Sequence, residues 1–182
     1  MKNITTAIAV GAGLGLVAAL AVVLLRRTPT AAPLETVESV DLQRYQGRWF
    51  EIAHYPAWFE HASDKNTTAQ YTALPDGRIR VVNQTTSESG SVRVAQAVAS
   101  VADPQTNAKL KVKFSPFLPG GDYWIIDLAP DYSYAVVGDP RRRFLWILSR
   151  TTQLPQPVFS QISARLIVQH YDPARLIHTT QE

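Results

Sequence analysis

Cysteine is absent from all 182 residues of the sequence. Its absence excludes thiol catalysis, disulfide bonds, zinc ribbons and an acylated N-terminal cysteine. The motifs of common hydrolase centres are also missing, because neither a G-x-S-x-G elbow nor an H-E-x-x-H pair occurs. The sequence therefore predicts no catalytic residue, no metal site and no cofactor.

Acidic residues are absent before Glu35, and all fifteen lie between that position and Glu182. Apart from Lys2, Arg26 and Arg27, the chain carries fifteen basic and fifteen acidic residues. The formal charge of +3 therefore belongs to the N-terminal region. A neutral body argues against a nucleic-acid partner.

One long hydrophobic run, residues 4–25, contains no charged residue. A helix of this length spans the bilayer core of about 30 Å, whereas a cleavable signal peptide usually has an apolar run of about 7–15 residues. Residues 1–27 are therefore predicted to be an uncleaved membrane anchor, with a signal peptide as the alternative. Basic residues on both flanks leave its orientation open. Residues 28–39, with Pro29 and Pro33, are predicted to be a linker.

Residues 40–182 form the predicted folded domain. Short segments of alternating polarity are separated there by turn-forming sequences such as PDG at 75–77 and PGG at 119–121. Eight strands are predicted, at 47–54, 67–74, 78–87, 91–101, 109–114, 122–128, 133–138 and 144–150. Sequential pairing closes them into an all-β, antiparallel up-and-down barrel that can hold one small ligand.

The apolar period changes after residue 150. Val158, Phe159, Ile162 and Leu166 recur at helical spacing, which predicts a C-terminal α-helix packed on the outside of the barrel. The helix is expected to end before Asp172. Residues 176–179 are a candidate for a final short strand.

Three sequence blocks resemble one known family. GRWFEI at 47–52 is similar to the Gly-x-Trp signature of the first strand of lipocalins, and YAVVGD at 134–139 and LWILSR at 145–150 follow in the expected order. The resemblance covers residues 40–180 and is strongest to the bacterial outer-membrane (Blc) type and to apolipoprotein D. It implies a barrel that binds fatty acids or lysophospholipids and stores or transports them in the cell envelope.

The missing cysteine is a departure from the Blc type, whose members usually carry an acylated one. The apolar anchor is expected to take its place, which implies a membrane-anchored, periplasm-facing protein of the cell envelope. The resemblance favours the outer membrane, and an inner-membrane anchor remains the alternative. A homodimer is also considered.

The resemblance further implies a contact that closes one end of the barrel, between Trp49 and Arg150 and beside Gly47. A guanidinium over an indole contributes about 0.5 to 2 kcal/mol. If Arg150 points inward, alternation also turns Leu148 and Trp146 inward.

Alternation on the other strands predicts an inward face that is mostly apolar. Tyr71 and Asn83 match positions that contact ligand in apolipoprotein D-like lipocalins, although Asn83 could instead bond a neighbouring strand and Trp146 could instead fill the core. Asp127 is also predicted to face inward and, when ionised, to repel a free carboxylate, which favours a lysophospholipid. The predicted ligand-binding residues are Tyr71, Val81, Asn83, Ala97, Val112, Phe114, Tyr123, Ile125, Val137 and Trp146.

Several other features leave alternatives open. The four histidines, at 54, 61, 170 and 178, are predicted to be surface imidazoles. The apolar loop around Phe114, Phe117, Leu118 and Pro119 is interpreted as a mouth lid, a dimer contact or a membrane-touching edge. Two other functional classes are retained: a lipid-modifying enzyme on the same barrel, and a structural envelope protein with a filled barrel.

Overall fold

The computed structural model of the chain describes residues 32–117 and 119–182. The predicted anchor at residues 1–27 lies outside the described residues. Within the described part, no helix combines the length and the hydropathy needed to cross a bilayer.

A short helix, α1, at Leu42–Tyr45, precedes the strands. The strands are β1 Gly47–His54, β2 Lys65–Ala73, β3 Ile79–Thr86, β4 Val92–Val101, β5 Lys109–Lys113, β6 Gly121–Leu128, β7 Tyr134–Gly138 and β8 Leu145–Ser149. Helix α2 spans Gln156–Val168, and a 3₁₀ turn at Pro173–Arg175 leads to β9, Ile177–His178. All eight predicted strands are present, and their ends differ from the prediction by at most two residues. The predicted helix and the final short strand are confirmed as well.

Each of the eight main strands pairs antiparallel with the next, and β1 also pairs with β8, so that the sheet closes on itself. The predicted eight-stranded barrel is therefore confirmed. The added strand β9 pairs with the end of β1, where Ala53 lies opposite His178.

Helix α2 packs on the outside of the barrel, as predicted. Its buried residues Ile162 and Leu166 share an apolar layer with Val136 and Ile147, which point outward from β7 and β8. The helix ends where His170 adopts a left-handed φ of 62° and the Tyr171 amide donates to the Leu166 carbonyl. This layer covers one side of the barrel and leaves the interior to a separate core.

Part of the predicted linker packs against the domain. Leu34 is only 5% exposed, the Val37 amide donates to the Ile125 carbonyl at 3.0 Å, and the Val40 amide donates to the Thr106 carbonyl at 2.7 Å. Prolines at 29 and 33 indicated an extended segment, but the apolar residues that follow find partners on the barrel.

A β-bulge changes the alternation of β1. The register with β8 shifts between Glu51 and Ala53, so Ile52 and Ala53 both face the layer under α2. His54 therefore lies opposite Trp146 and faces the interior, on the same side as Glu51. Two polar side chains of one strand thus point into the barrel.

A second bulge, in β6, makes the prediction for Asp127 wrong. The register with β7 shifts between Ile125 and Asp127, so Asp127 turns outward and pairs with Arg165 of α2 at 2.6 Å. Leu128 takes the inward position instead. The expected repulsion between Asp127 and a bound carboxylate therefore has no structural basis.

The closed end is held by Arg150, whose Cζ atom lies 3.7 Å from the centre of the Trp49 ring. The same guanidinium donates hydrogen bonds to the carbonyl oxygens of Arg44 at 2.7 Å, Arg48 at 2.8 Å and Tyr132 at 3.4 Å. One side chain thus connects α1, β1 and the turn between β6 and β7.

Gly47 leaves the space that this arrangement needs. Its φ is +94°, and a Cβ atom built there would lie 3.3 Å from Nη1 of Arg150. The indole of Trp49 is fully buried and donates to the Tyr45 carbonyl at 2.9 Å. A larger residue at 47 would strain the backbone and crowd the guanidinium.

Replacing Arg150 by Lys is expected to lower the free energy of unfolding by about 1 to 3 kcal/mol, because an ammonium keeps the charge but loses the planar stacking and most of the carbonyl bonds. The measurement is chemical denaturation followed by circular dichroism. Arg80→Lys, at an exposed position of β3, is the matched control and should change stability by less than about 0.5 kcal/mol. Equal effects of the two substitutions would contradict the closing role of Arg150.

Candidate ligand-binding cavity

The barrel encloses a cavity of about 700 Å³. Small-molecule sites usually occupy about 300–1,000 Å³. Ala97, Ile125 and Val137 are buried in the interior core, but they do not reach the cavity surface. The other seven predicted ligand-binding residues line it: Tyr71, Val81, Asn83, Val112, Phe114, Tyr123 and Trp146.

Three tyrosines join α1, β2 and β6 near the closed end. The hydroxyl of Tyr123 lies 2.8 Å from that of Tyr45 and 2.8 Å from that of Tyr71. Burial raises the pKa of Tyr71 to about 12 and raises those of the other two as well. The hydroxyls therefore remain neutral and bond to each other, and they form a weakly polar lower boundary of the cavity.

The cavity wall has two sides that differ in polarity. Strands β1 and β5 are four strands apart in both directions around the barrel, so they lie across the cavity from each other. The β1 side carries ionisable groups. The side formed by β4 and β5 is mostly apolar and includes Ala95, Val112 and the adjacent Phe114.

The ionisable groups on the β1 side are Glu51, His54 and Glu60, together called the wall cluster. Glu51 is 6% exposed and His54 is 4% exposed. Nδ1 of His54 lies 2.7 Å from Oε2 of Glu60 and 3.0 Å from the Tyr55 carbonyl oxygen. Trp146 fixes the other oxygen of Glu60 by donating its Nε1–H to Oε1 at 2.9 Å.

The wall cluster holds protons near neutral pH. Burial of its carboxyl, reinforced by the charge of Glu60, raises the pKa of Glu51 to about 7. Burial alone would lower the pKa of His54, but its hydrogen bond to Glu60 and the negative charges of both glutamates outweigh burial and raise it. Glu51 therefore changes charge around pH 7, and His54 keeps its proton to a higher pH than an ordinary histidine.

The prediction that His54 is a surface imidazole is wrong. His61, His170 and His178 are exposed, whereas His54 is buried against Glu60. Regular alternation from Trp49 places Ala53 inward, and only the bulge after Glu51 reverses this. The glutamates of the wall cluster were also missed as cavity residues, although Glu51 shares the inward parity of Trp49.

Aromatic rings surround the cavity mouth. Trp58, Phe59, Phe144 and Trp146 line it in series, with successive ring centres 5.3, 5.8 and 5.9 Å apart. Trp58 is 87% exposed, so the series reaches from the solvent to the interior.

The apolar loop after β5 also borders the mouth. Phe114 and Pro119 line the cavity, and Phe117 is 93% exposed. Leu118 lies outside the described residues. The interpretations of this loop as a mouth lid, a dimer contact or a membrane-touching edge remain predictions.

Two cationic side chains at the mouth are paired with acids. Arg93 bonds to Asp64, and Arg143 lies 3.5 Å from Asp139. Within residues 32–117 and 119–182, no group of three His, Cys, Asp or Glu side chains is arranged to hold a metal ion. The cavity lining also includes the exposed His61 and the partly buried Asp122, and Asp122 pairs with Lys111 at 2.7 Å.

The model of the lipocalin-like domain family matches residues 40–181. This chain belongs to the lipocalin family. Its relatives include temperature-induced lipocalin-1 of Arabidopsis thaliana, which is 42% identical over 81% of this chain and 83% of that protein. Apolipoprotein D of Macaca fascicularis is 33% identical, with coverage of 84% and 82%, respectively.

A bacterial relative is the outer membrane lipoprotein Blc of Escherichia coli, which is 34% identical over 80% of this chain and 81% of that protein. Among solved structures, the allergen Per a 4 from cockroaches superposes with a TM-score of 0.65 at 17% identity, covering 81% of this lipocalin and 93% of that chain. The resemblance to lipocalins, including the Blc and apolipoprotein D types, is thus confirmed. Lipocalins are generally binding proteins for small hydrophobic ligands rather than enzymes.

Replacing Glu51 by Gln tests the titration of the wall cluster through protein stability. A carboxyl whose pKa rises from 4.5 unfolded to about 7 folded loses its stabilising contribution as pH increases through that window. Gln does not ionise, so the variant should gain about 1 to 3 kcal/mol over the wild type between about pH 4.5 and 8. Denaturation at several pH values measures the difference. Exposed Glu38→Gln is the control, and a pH-independent difference for Glu51→Gln would contradict the raised pKa.

Proposed function

We propose that this lipocalin binds a single-chain lipid, a fatty acid or a lysophospholipid, in the barrel cavity and stores or transports it without changing it chemically. The observation that carries the proposal is the cavity of about 700 Å³ with one apolar and one ionisable side. An amphipathic molecule can place its chain against Val81 and Val112 and its headgroup toward the wall cluster.

The energetics fit moderate affinity. Burial of ten methylenes contributes roughly 8 kcal/mol at about 0.8 kcal/mol each, while association costs about 4 to 15 kcal/mol. Aromatic contacts with Trp146 and Phe144 add to the favourable side. Micromolar binding is therefore expected, as suits a carrier that must release its cargo.

We also propose that the protein acts in a bacterial cell envelope, anchored to a membrane by residues 1–27 and facing the periplasm. Support comes from the apolar run at residues 4–25 and from bacterial relatives named outer membrane lipoproteins. The absence of cysteine favours an apolar anchor over lipid modification.

Carriage can be separated from lipid modification by incubating the purified full chain with lysophosphatidylcholine and analysing bound and free lipid by mass spectrometry. Recovery of intact bound lipid supports carriage, and new lipid products would contradict it. A structural protein with a filled barrel would retain no lipid, and the large cavity argues against that class.

Trp146 should report ligand entry through its fluorescence. A fatty acid carrying a quencher is expected to quench the wild type with saturation, and Trp146→Phe should lose about half or more of that quenching because Trp146 lines the cavity. Trp124→Phe is the control, since Trp124 packs in the outer layer. Unsaturable quenching, or an equal loss in both variants, would contradict binding inside the barrel.

Filling the cavity should weaken binding. Val112→Trp places an indole against the opposite wall and is expected to lower lipid affinity about tenfold or more, since overpacking costs about 1 to 3 kcal/mol. Lys113→Trp, at an exposed outward position next to it, is the matched control and should leave affinity within about twofold. Titration with a fluorescent lipid measures both. Unchanged affinity in Val112→Trp would place the ligand elsewhere.

A further inference from the structure

We propose that the wall cluster of Glu51, His54 and Glu60 is a headgroup subsite that selects single-chain lipids with a positively charged ammonium group over free fatty acids. The inference rests on the proposed lipid-binding function and narrows its ligand class. It assigns a chemical role to three side chains that barrel closure does not use.

The first argument is an acceptor left open in the cavity wall. Thr179 Oγ1 donates to Oε1 of Glu51 at 2.6 Å, and no described residue donates to the other carboxylate oxygen. Glu51 is 94% shielded from solvent, yet it lines the cavity. A buried carboxylate in this position is stabilised by a ligand that brings a positive charge or a donor.

The second argument is the geometry around Glu60. Trp146 donates to Oε1 of Glu60 at 2.9 Å, which places the carboxylate beside the aromatic series at the mouth, and the buried Oε2 has only the ion-pair contact with Nδ1 of His54 at 2.7 Å among the described residues. Phe144 stacks on Trp146 with the ring centres 5.9 Å apart. Carboxylates beside aromatic faces are the surroundings that proteins use to bind ammonium groups.

The third argument concerns the competing ligand, a carboxylate. The cations that line the mouth, Arg93 and Arg143, already pair with Asp64 and Asp139. A carboxylate placed against the β1 side would therefore meet two glutamates with only His54 as a partner. A bound ammonium neutralises charge there, and a bound carboxylate adds repulsion.

The pH dependence has a definite sign. The titratable or charged groups facing Glu51 are His54 on β1, Glu60 and Asp64 on the following loop, and Tyr71 on β2. As pH rises through 7, Glu51 loses its proton and becomes negative, and His54, whose pKa is raised despite its burial, loses its positive charge at a higher pH than an ordinary histidine. Both changes make the cluster more negative. Ammonium affinity should therefore rise with pH, and carboxylate affinity should fall.

The experiment compares three probes with the same chain: dodecyltrimethylammonium, dodecanol and dodecanoate. Each competes with a fluorescent lipid on the full chain, kept in solution by a non-ionic amphipathic polymer. At about pH 8 the ammonium probe should bind about tenfold or more tightly than dodecanoate. At about pH 6 the ratio should shrink several-fold, because Glu51 takes up its proton and the cluster loses negative charge, while the affinity for dodecanol stays unchanged.

Two conservative variants and one control locate the effect. Glu51→Gln and Glu60→Gln should each reduce the ratio of ammonium to dodecanoate affinity to within about threefold and flatten its pH dependence. Glu38→Gln, which removes an exposed carboxylate before α1, should keep the wild-type ratio. Tighter binding of dodecanoate than of the ammonium probe, or an unchanged ratio in both cavity variants, would overturn the inference.

The outcomes also separate this inference from the function on which it rests. Saturable binding of all three probes with similar affinities and no pH dependence overturns the headgroup selection and leaves lipid binding intact. Binding of none of the probes overturns both.

Discussion

The contact between Arg150 and Trp49 is the constraint on which the rest of the barrel depends. At the closed end of the barrel, the guanidinium of Arg150 lies 3.7 Å from the centre of the indole ring. It also donates hydrogen bonds to three backbone carbonyls from separate segments. This side chain fixes α1 and the turn between β6 and β7 at the closed end. The backbone carbonyls there are therefore hydrogen-bonded without side chains from the rest of the interior. The buried apolar side chains form one cluster toward the closed end and another under α2, and the cavity occupies the remaining interior.

The bulge in β1 gives that cavity its chemistry. It turns His54 to the same side as Glu51, and it leaves Ile52 and Ala53 to pack outside. The loop after β1 then brings Glu60 to the imidazole, and Trp146 fixes it there. A barrel of regular alternation would have a more uniform apolar wall, whereas this one places ionisable groups across from an apolar surface. That asymmetry is the physical basis for an amphipathic ligand.

Strand positions, the outer helix and most inward residues could be predicted from the sequence, because turn residues and two-residue alternation leave clear local signals. Tyr71, Val81 and Val112 reach the cavity for this reason. Asp127 and His54 could not be placed, since each follows a bulge, and a bulge depends on pairing between strands rather than on local sequence. Local patterning also gave no signal for the ionisation of Glu51, which depends on residues as distant in sequence as Thr179.

The most direct test of the central claim is a crystal structure with an alkyltrimethylammonium ligand that carries bromine at the end of its chain. The account predicts an anomalous bromine peak inside the barrel and electron density for the headgroup beside Glu51 and Glu60. Ligand density confined to the exposed mouth loops, or a barrel interior without ligand at saturating concentration, would contradict it.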